Sequence, residues 1–208
     1  MVNLSELTTA VEAGDRKTAV DLTRSAIGHG IDPQTILDAM TSAMEVVGGR
    51  FQRNEIYIPE MLISARAMKE ATALLEPILA RAGVRPEHTA VIGTVQGDLH
   101  DIGKSLVGMM WKGANIAIVD LGTNVGPGQF VAAAKEHAAS LIGISALLTT
   151  TMVGAKDVIH AVRDAGLPAM VMVGGAPFTA EFAASIGADG YAPDAAAAVA
   201  VAKRLLGA

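Results

Sequence analysis

The chain has 208 residues, 51% of them hydrophobic, and a formal net charge of −5 at pH 7. That length allows one or two domains with a sizeable core, and the acidic balance argues against nucleic acid as a main partner. The chain has no cysteine, which excludes disulfides and thiolate metal sites and leads us to expect a cytoplasmic location. The N-terminus lacks the basic start and apolar core of a signal peptide. No apolar run approaches the ~18 residues that span a membrane; the run Ala169 to Val173 is strand-length, and no membrane partner is expected.

Residues 1–87 read as helices only. Gly14-Asp15 separates a short first helix from a second over Arg16 to Ile27. Asp32-Pro33 is a strong start signal, a capping side chain followed by proline at the first helical position. The helix after it places Ile36, Leu37, Met40, Met44 and Val47 at helical spacing, and Gly48-Gly49 is expected to end it. Pro59 opens a fourth helix with Met61, Leu62, Ala65, Met68 and Leu75 on or near one face. Four such helices form a small bundle. Arg81 to His88 clusters Gly, Pro and charge and reads as a linker, with a hinge near Gly83 to Pro86 and His88 exposed.

From residue 88 to 208 the period changes. Short β-rich runs at 90–95, 116–120, 141–145, 169–173 and 189–191 alternate with alanine-rich helices. This is a flavodoxin-like, doubly wound, five-stranded parallel sheet, so the fold class is a helical bundle followed by an α/β unit. In strand order 2-1-3-4-5, the loops after strands one, three, four and five fall on one side of the switch point. They carry His100, Ser145, Gly174-Gly175 and Gly190-Tyr191. The second loop, Gly122 to Pro127, falls on the other side. Trp111 is expected in the core against the sheet, and His29, His137 and His160 at exposed positions.

The first strand breaks at Gly97 and places Asp98 and His100 two residues apart, before the chain restarts as an apolar helix over Leu106 to Trp111. A neutral imidazole is a good transition-metal ligand, and a carboxylate on its other nitrogen orients it. Asp98-x-His100 supplies both groups, and Gly103 lets backbone approach whatever His100 holds. The alternative is that Asp98 caps a helix starting near Asp101 and His100 is a surface loop residue. Gly103-Lys104-Ser105 is not a phosphate loop, since the required glycine five positions earlier is Asp98. A two-metal phosphoesterase would need further Asp, Asn and His clusters downstream.

Gly97-Asp98-Leu99-His100-Asp101-Ile102-Gly103-Lys104 resembles the Asp-x-His-x-x-Gly signature of cobalamin-binding domains. It is most similar to those of methionine synthase and of the corrinoid proteins of anaerobic methyltransferases. Ser145-x-Leu147 and Gly174-Gly175 follow in the family's order. The resemblance implies cobalamin bound with its dimethylbenzimidazole tail off cobalt and His100 as the lower axial ligand to the metal. Asp98 would bond the other imidazole nitrogen, and Thr151, where the family has serine, would continue the relay. Ser145, Leu147, Thr149, Gly174, Gly175 and Tyr191 would line the tail slot. Tyr57, Ile58, Met61 and Leu62 resemble the segment that caps the corrin, although helical packing is an equally natural role for Met61 and Leu62.

The resemblance further implies a methyl shuttle that uses methylcobalamin and cob(I)alamin and is not an enzyme on its own. Its partners would be a substrate-specific methyltransferase, a second methyltransferase acting on tetrahydrofolate or a thiol carrier, and a reductive activator. Methylamine, methanol, a betaine and an aromatic methyl ether all stay open as donors. Two other readings compete. One is a cobalamin-dependent sensor that acts through a partner. The other is a small subunit of an adenosylcobalamin mutase, which the four-helix region disfavours.

Overall fold

The computed structural model describes residues 3–81 and 86–207. It divides into two compact units, Met1–Pro86 and Glu87–Ala208.

The first unit holds α1 (Leu4–Glu12), α2 (Arg16–Gly28), α3 (Pro33–Gln52) and α4 (Ile58–Arg81). The starts are set by side-chain caps. Asn3, Asp15 and Asp32 accept the backbone N–H groups of Ser5, Thr18 and Thr35, which satisfies donors that the first helical turn leaves orphaned. α1 packs on α2 and α3, and α4 on α2 and α3. Leu7, Val11, Ile36, Met40, Val47, Met61 and Leu75 are buried among them.

Two expectations are corrected here. Gly48-Gly49 does not end the third helix, which runs on to Gln52. Gly48 is buried in the helix, and the left-handed turn that ends α3 is made at Asn54 (φ 58°), a residue type that tolerates it. Leu62 does not join Met61 in the core. Adjacent helical positions point about 100° apart, so Met61 is buried and Leu62 is exposed.

The second unit alternates strands and helices in the order β1 (His88–Thr94), α5 (Ile102–Gly113), β2 (Ile116–Asp120), α6 (Pro127–Glu136) and β3 (Leu141–Ser145). It continues with α7 (Gly154–Asp164), β4 (Met170–Gly174), α8 (Ala180–Ser185), β5 (Gly190–Ala192) and α9 (Ala195–Leu206). All neighbouring strands pair in parallel, in the order β2-β1-β3-β4-β5. Both faces are covered, which is why the strands read as continuous Val, Ile, Met and Ala. Val91, Ile142, Ile144, Val171 and Val173 pack with Phe130, Val158 and Ile159 on one face. On the other, Ala90, Ile92 and Met172 pack with Trp111 and with Ala198, Val201 and Ala202 of α9.

Trp111 is buried and donates its indole N–H to the Ala198 carbonyl at 3.0 Å. Gly143 makes room for its ring, since a Cβ there would come within 2.7 Å of it.

The predicted fold class holds, with local corrections. His88 is half-buried as the first residue of β1, not exposed. α5 starts at Ile102, a full turn before the apolar run that announced it. Gly190 and Tyr191 lie within β5 and not in a loop after it. Of the predicted linker and hinge, Ala82 to Arg85 lie outside the described residues. Among the described residues, no helix is long and apolar enough to cross a membrane.

Candidate functional site

The carboxyl edge of the sheet is in strict register. Thr94 pairs with Ser145, Ser145 with Gly174 and Gly174 with Ala192. Strand neighbours lie about 4.8 Å apart, so these four small residues form one row across the sheet. They continue the alternation of Ile92 and Met172 and therefore share the face that carries α5 and α9.

Beyond β1 the chain turns at Gly97 (φ +84°) and brings Asp98 under the edge. The Asp98 side chain is 0% exposed, and that of His100 is 51% exposed. Asp98 Oδ1 accepts the His100 backbone N–H at 3.0 Å and faces His100 Nδ1 at 2.7 Å. Oδ2 accepts the Leu147 N–H at 2.8 Å and the Thr151 hydroxyl at 2.7 Å, with the Leu148 N–H at 3.4 Å. Burial pushes the Asp98 carboxyl up. The hydrogen bonds from Leu147, Thr151 and His100 outweigh burial and hold it well below the usual carboxylate range.

An ionised carboxylate can only accept, so His100 Nδ1 is the donor to Asp98, and in that tautomer the Nε2 lone pair is the atom that could bind a metal. Among the described residues no protein group is bonded to Nε2. The helix-cap alternative is thereby excluded for Asp98, whose carboxylate is spent on His100 and the loop after β3. Asp101 is the N-cap of α5 and makes no side-chain cap bond.

Exposed apolar side chains stand next to His100 in the chain and in the loop bonded to Asp98. Leu99 is 73% and Ile102 79% exposed, and Leu147 and Leu148 are also exposed. Gly103 opens onto space, with nothing within 4 Å of where a Cβ would stand. Such a patch on a small unit marks a binding surface. Among the described residues no group of three or more His, Cys, Asp or Glu side chains converges to hold a bare ion. A single half-exposed imidazole with these apolar neighbours suits a metal that arrives already enclosed in a macrocycle, which needs only an axial ligand from the protein.

The other predicted residues fall as follows. Ser145 ends β3 in the small-residue row, and its carbonyl accepts the Val95 N–H. Thr149 is exposed in the loop that follows. Gly175 (φ +125°) is required by the chain itself, because a Cβ there would run into the Ala146 carbonyl oxygen. A Cβ on Gly174 would stand 3.0 Å from the Ala192 carbonyl oxygen. Tyr191 is half-buried against the core of the α6–α8 face, the face opposite the small-residue row. In the helical unit, Tyr57 and Ile58 are exposed, as Leu62 is, and Met61 is buried.

Four contributors escaped the sequence reading. Buried Thr94 donates its hydroxyl to the His100 carbonyl at 2.9 Å. The Leu148 N–H joins the Asp98 cluster. Lys104, with a side chain 2% exposed, bonds Asp120 at 2.6 Å and ties the first turn of α5 to the end of β2. Asn124 reaches the Gly97 turn from the loop after the neighbouring strand β2. A lysine in an otherwise apolar helix face was the one available signal; the other three contacts leave no spacing in the sequence.

Residues 88–200 match the family model described as B12 binding domain, and residues 4–76 match a second model of the same description. A corrinoid protein of Desulfitobacterium hafniense is 39% identical over 210 residues, covering 98% of this chain and 97% of that one. The dimethylamine corrinoid protein of Methanosarcina barkeri is 39% identical over 207 residues, with the same coverage of 98% and 97%. Among solved structures, a chain of the methanol:cobalamin methyltransferase complex MtaBC of Methanosarcina barkeri aligns with a TM-score of 0.86. The identity is 28%, over 99% of this chain and 80% of that one.

Proposed function

The chain belongs to the B12-binding domain family, and from that premise we propose that it is the methyl-carrying corrinoid subunit of a cobalamin-dependent methyltransferase system. The observation that supports this reading is the outward Nε2 of His100, with Nδ1 fixed 2.7 Å from the Asp98 carboxylate. Bound cobalamin would supply a cobalt that alternately accepts and yields a methyl group.

The chain's own part is to hold, tune and shield that cofactor. His100 would hold the cobalt through Nε2 in place of the dimethylbenzimidazole tail. Ser145, Leu147, Thr149, Gly174 and Gly175 would hold that tail. Asp98 stays ionised and sets the donor strength of the imidazole, and Thr151 fixes the orientation of Asp98. Exposed Tyr57, Ile58 and Leu62 are the residues of the helical unit we assign to shielding; Met61 stays within the bundle. Tyr191 is left out of the tail contacts.

In this reading a substrate-specific methyltransferase loads the methyl. A second methyltransferase passes it to tetrahydrofolate or a thiol carrier, and a reductive activator restores oxidised cofactor. The similarity to dimethylamine corrinoid proteins makes methylated amines the first donors to try.

The test is reconstitution with methyl-, aquo- and adenosylcobalamin, followed by mixing with dimethylamine-, monomethylamine- and methanol-specific methyltransferases. The reading expects binding of the methyl and aquo forms and methyl loading by one of the partners. Exclusive binding of adenosylcobalamin, with a change of oligomeric state in light, would replace it with a sensor.

A further inference from the structure

The bonds that aim the imidazole run through side chains, but the turn that carries them is fixed by a different element. β1 and β2 stay in register up to Ile92 and Asp120. The chain then swings outward at Gly122 (φ +78°) and Asn124 (φ 57°) and rejoins β1 where Val125 pairs with Val95. At the rejoining point the Val125 N–H donates to the Thr94 carbonyl at 2.9 Å.

The excursion is small, and its apex is Asn124. The Asn124 backbone N–H donates to the Asp98 carbonyl at 3.0 Å. Its side-chain Oδ1 accepts the Gly97 N–H at 2.8 Å. Asn124 thus grips both sides of the Gly97–Asp98 peptide, one residue before Leu99 and two before His100.

We propose that Asn124 is a positioning residue for the axial ligand, fixing the backbone of the Gly97–Asp98 turn from the loop after β2; this rests on the ligand role of His100 argued above. Three features converge on it. The left-handed conformation at position 124 is one that asparagine tolerates and most residues do not. The Gly97 N–H lies on a positive-φ turn that offers it no partner within β1. Thr94 holds the far side of the same turn through the His100 carbonyl, so with Asn124 the turn is clamped at Gly97 N–H, Asp98 carbonyl and His100 carbonyl. An imidazole held only by its side-chain partner could swing with the turn; one on a clamped turn cannot. Pre-organisation of this kind lets a ligand atom meet its metal without ordering a loop first.

The test uses two variants. Asn124→Gly keeps the left-handed backbone and removes only the side-chain acceptor. Asn124→Asp restores an acceptor. Hydrogen exchange of the Gly97 amide in the protein without cofactor reads the clamp directly. Protection should fall about tenfold in Asn124→Gly, as for loss of one net hydrogen bond, and return in Asn124→Asp.

In the cobalamin-loaded protein, the fraction of cobalt bound to histidine nitrogen should fall in Asn124→Gly and recover in Asn124→Asp. Unchanged Gly97 protection would overturn the proposal. So would lost protection with an unchanged histidine-bound fraction, which leaves Asn124 a merely structural residue. If wild-type protein shows no histidine-bound cobalt while Gly97 protection responds as expected, the fault lies with the ligand role of His100, and the positioning role falls with it.

Discussion

Thr151 follows Asp98 by 53 residues, yet its hydroxyl stands 2.7 Å from Asp98 Oδ2. The same hydroxyl lies 3.1 Å from the Leu148 carbonyl, and its single proton goes to the charged acceptor, where the hydrogen bond is stronger. The Thr151 methyl packs over the turn, 3.7 Å from where a Cβ on Gly97 would stand. Thr151→Val keeps that packing and removes the donor from a buried carboxylate. It should lower the stability of the cofactor-free protein by about 1–3 kcal/mol, read as a shift in urea midpoint at constant slope. Thr151→Ser keeps the donor and should lose less than half as much.

The acidity of Asp98 has a sign that can be checked. Its folded-state carboxyl is held below the usual range by Leu147, Thr151 and His100 against the opposing effect of burial. Its contribution to stability is therefore fully present above the unfolded value of about 3.9. It is lost as pH falls from there through the lower folded value. Asp98→Asn should cost stability at neutral pH, and the gap between it and wild type should narrow below about pH 4. Denaturation of the cofactor-free proteins from pH 7 to pH 3 reads this; a gap that widens on acidification would contradict the assignment.

Two glycines should behave oppositely. At Gly175, a Cβ meets the Ala146 carbonyl oxygen at a φ of +125°. Gly175→Ala should cost about 2 kcal/mol or more from strain and backbone clash. At Gly103, in the first turn of α5, the Cβ meets nothing. Gly103→Ala should leave the cofactor-free protein as stable or up to about 1 kcal/mol more so, because alanine favours the helix. It should nonetheless weaken cobalamin binding, measured by spectroscopic titration. Unchanged affinity would mean that the space beside Gly103 is not used.

The Lys104–Asp120 pair joins a buried ammonium to a half-exposed carboxylate. Removing the carboxylate strands a charge, while removing the lysine leaves Asp120 to water. Asp120→Ala should therefore destabilise more than Lys104→Met, by about 2 kcal/mol. That lies below the usual cost of breaking a fully buried pair because Asp120 is partly solvated. Thermal unfolding of both variants ranks them.

The sequence shows features that depend on near neighbours in the chain. The cap at Asp32, the break at Gly14-Asp15, the β-α alternation and the Asp98-x-His100 spacing are of this kind, since each closes within a few residues. Gly48-Gly49 misled because glycine breaks an isolated helix, whereas here a buried Gly48 is retained inside one. Leu62 misled because hydrophobicity alone does not say which side of a helix a residue occupies. The grips of Thr94, Asn124 and Leu148 on the histidine loop were out of reach for another reason. They are made largely to or from main-chain atoms, and main-chain atoms carry no residue identity. Thr151 was reachable only through the family's spacing.

The central claim is that His100, oriented by Asp98, takes the lower axial position on cobalt. The most direct measurement is the EPR spectrum of the Co(II) form, in protein grown with nitrogen-15 histidine and loaded with unlabelled cobalamin. The account predicts an axial nitrogen splitting that changes to that of the heavier isotope, and loss of that signal in His100→Asn. A splitting that stays that of unlabelled nitrogen would place the dimethylbenzimidazole tail on cobalt and contradict the roles of His100, Asp98 and Thr151 together.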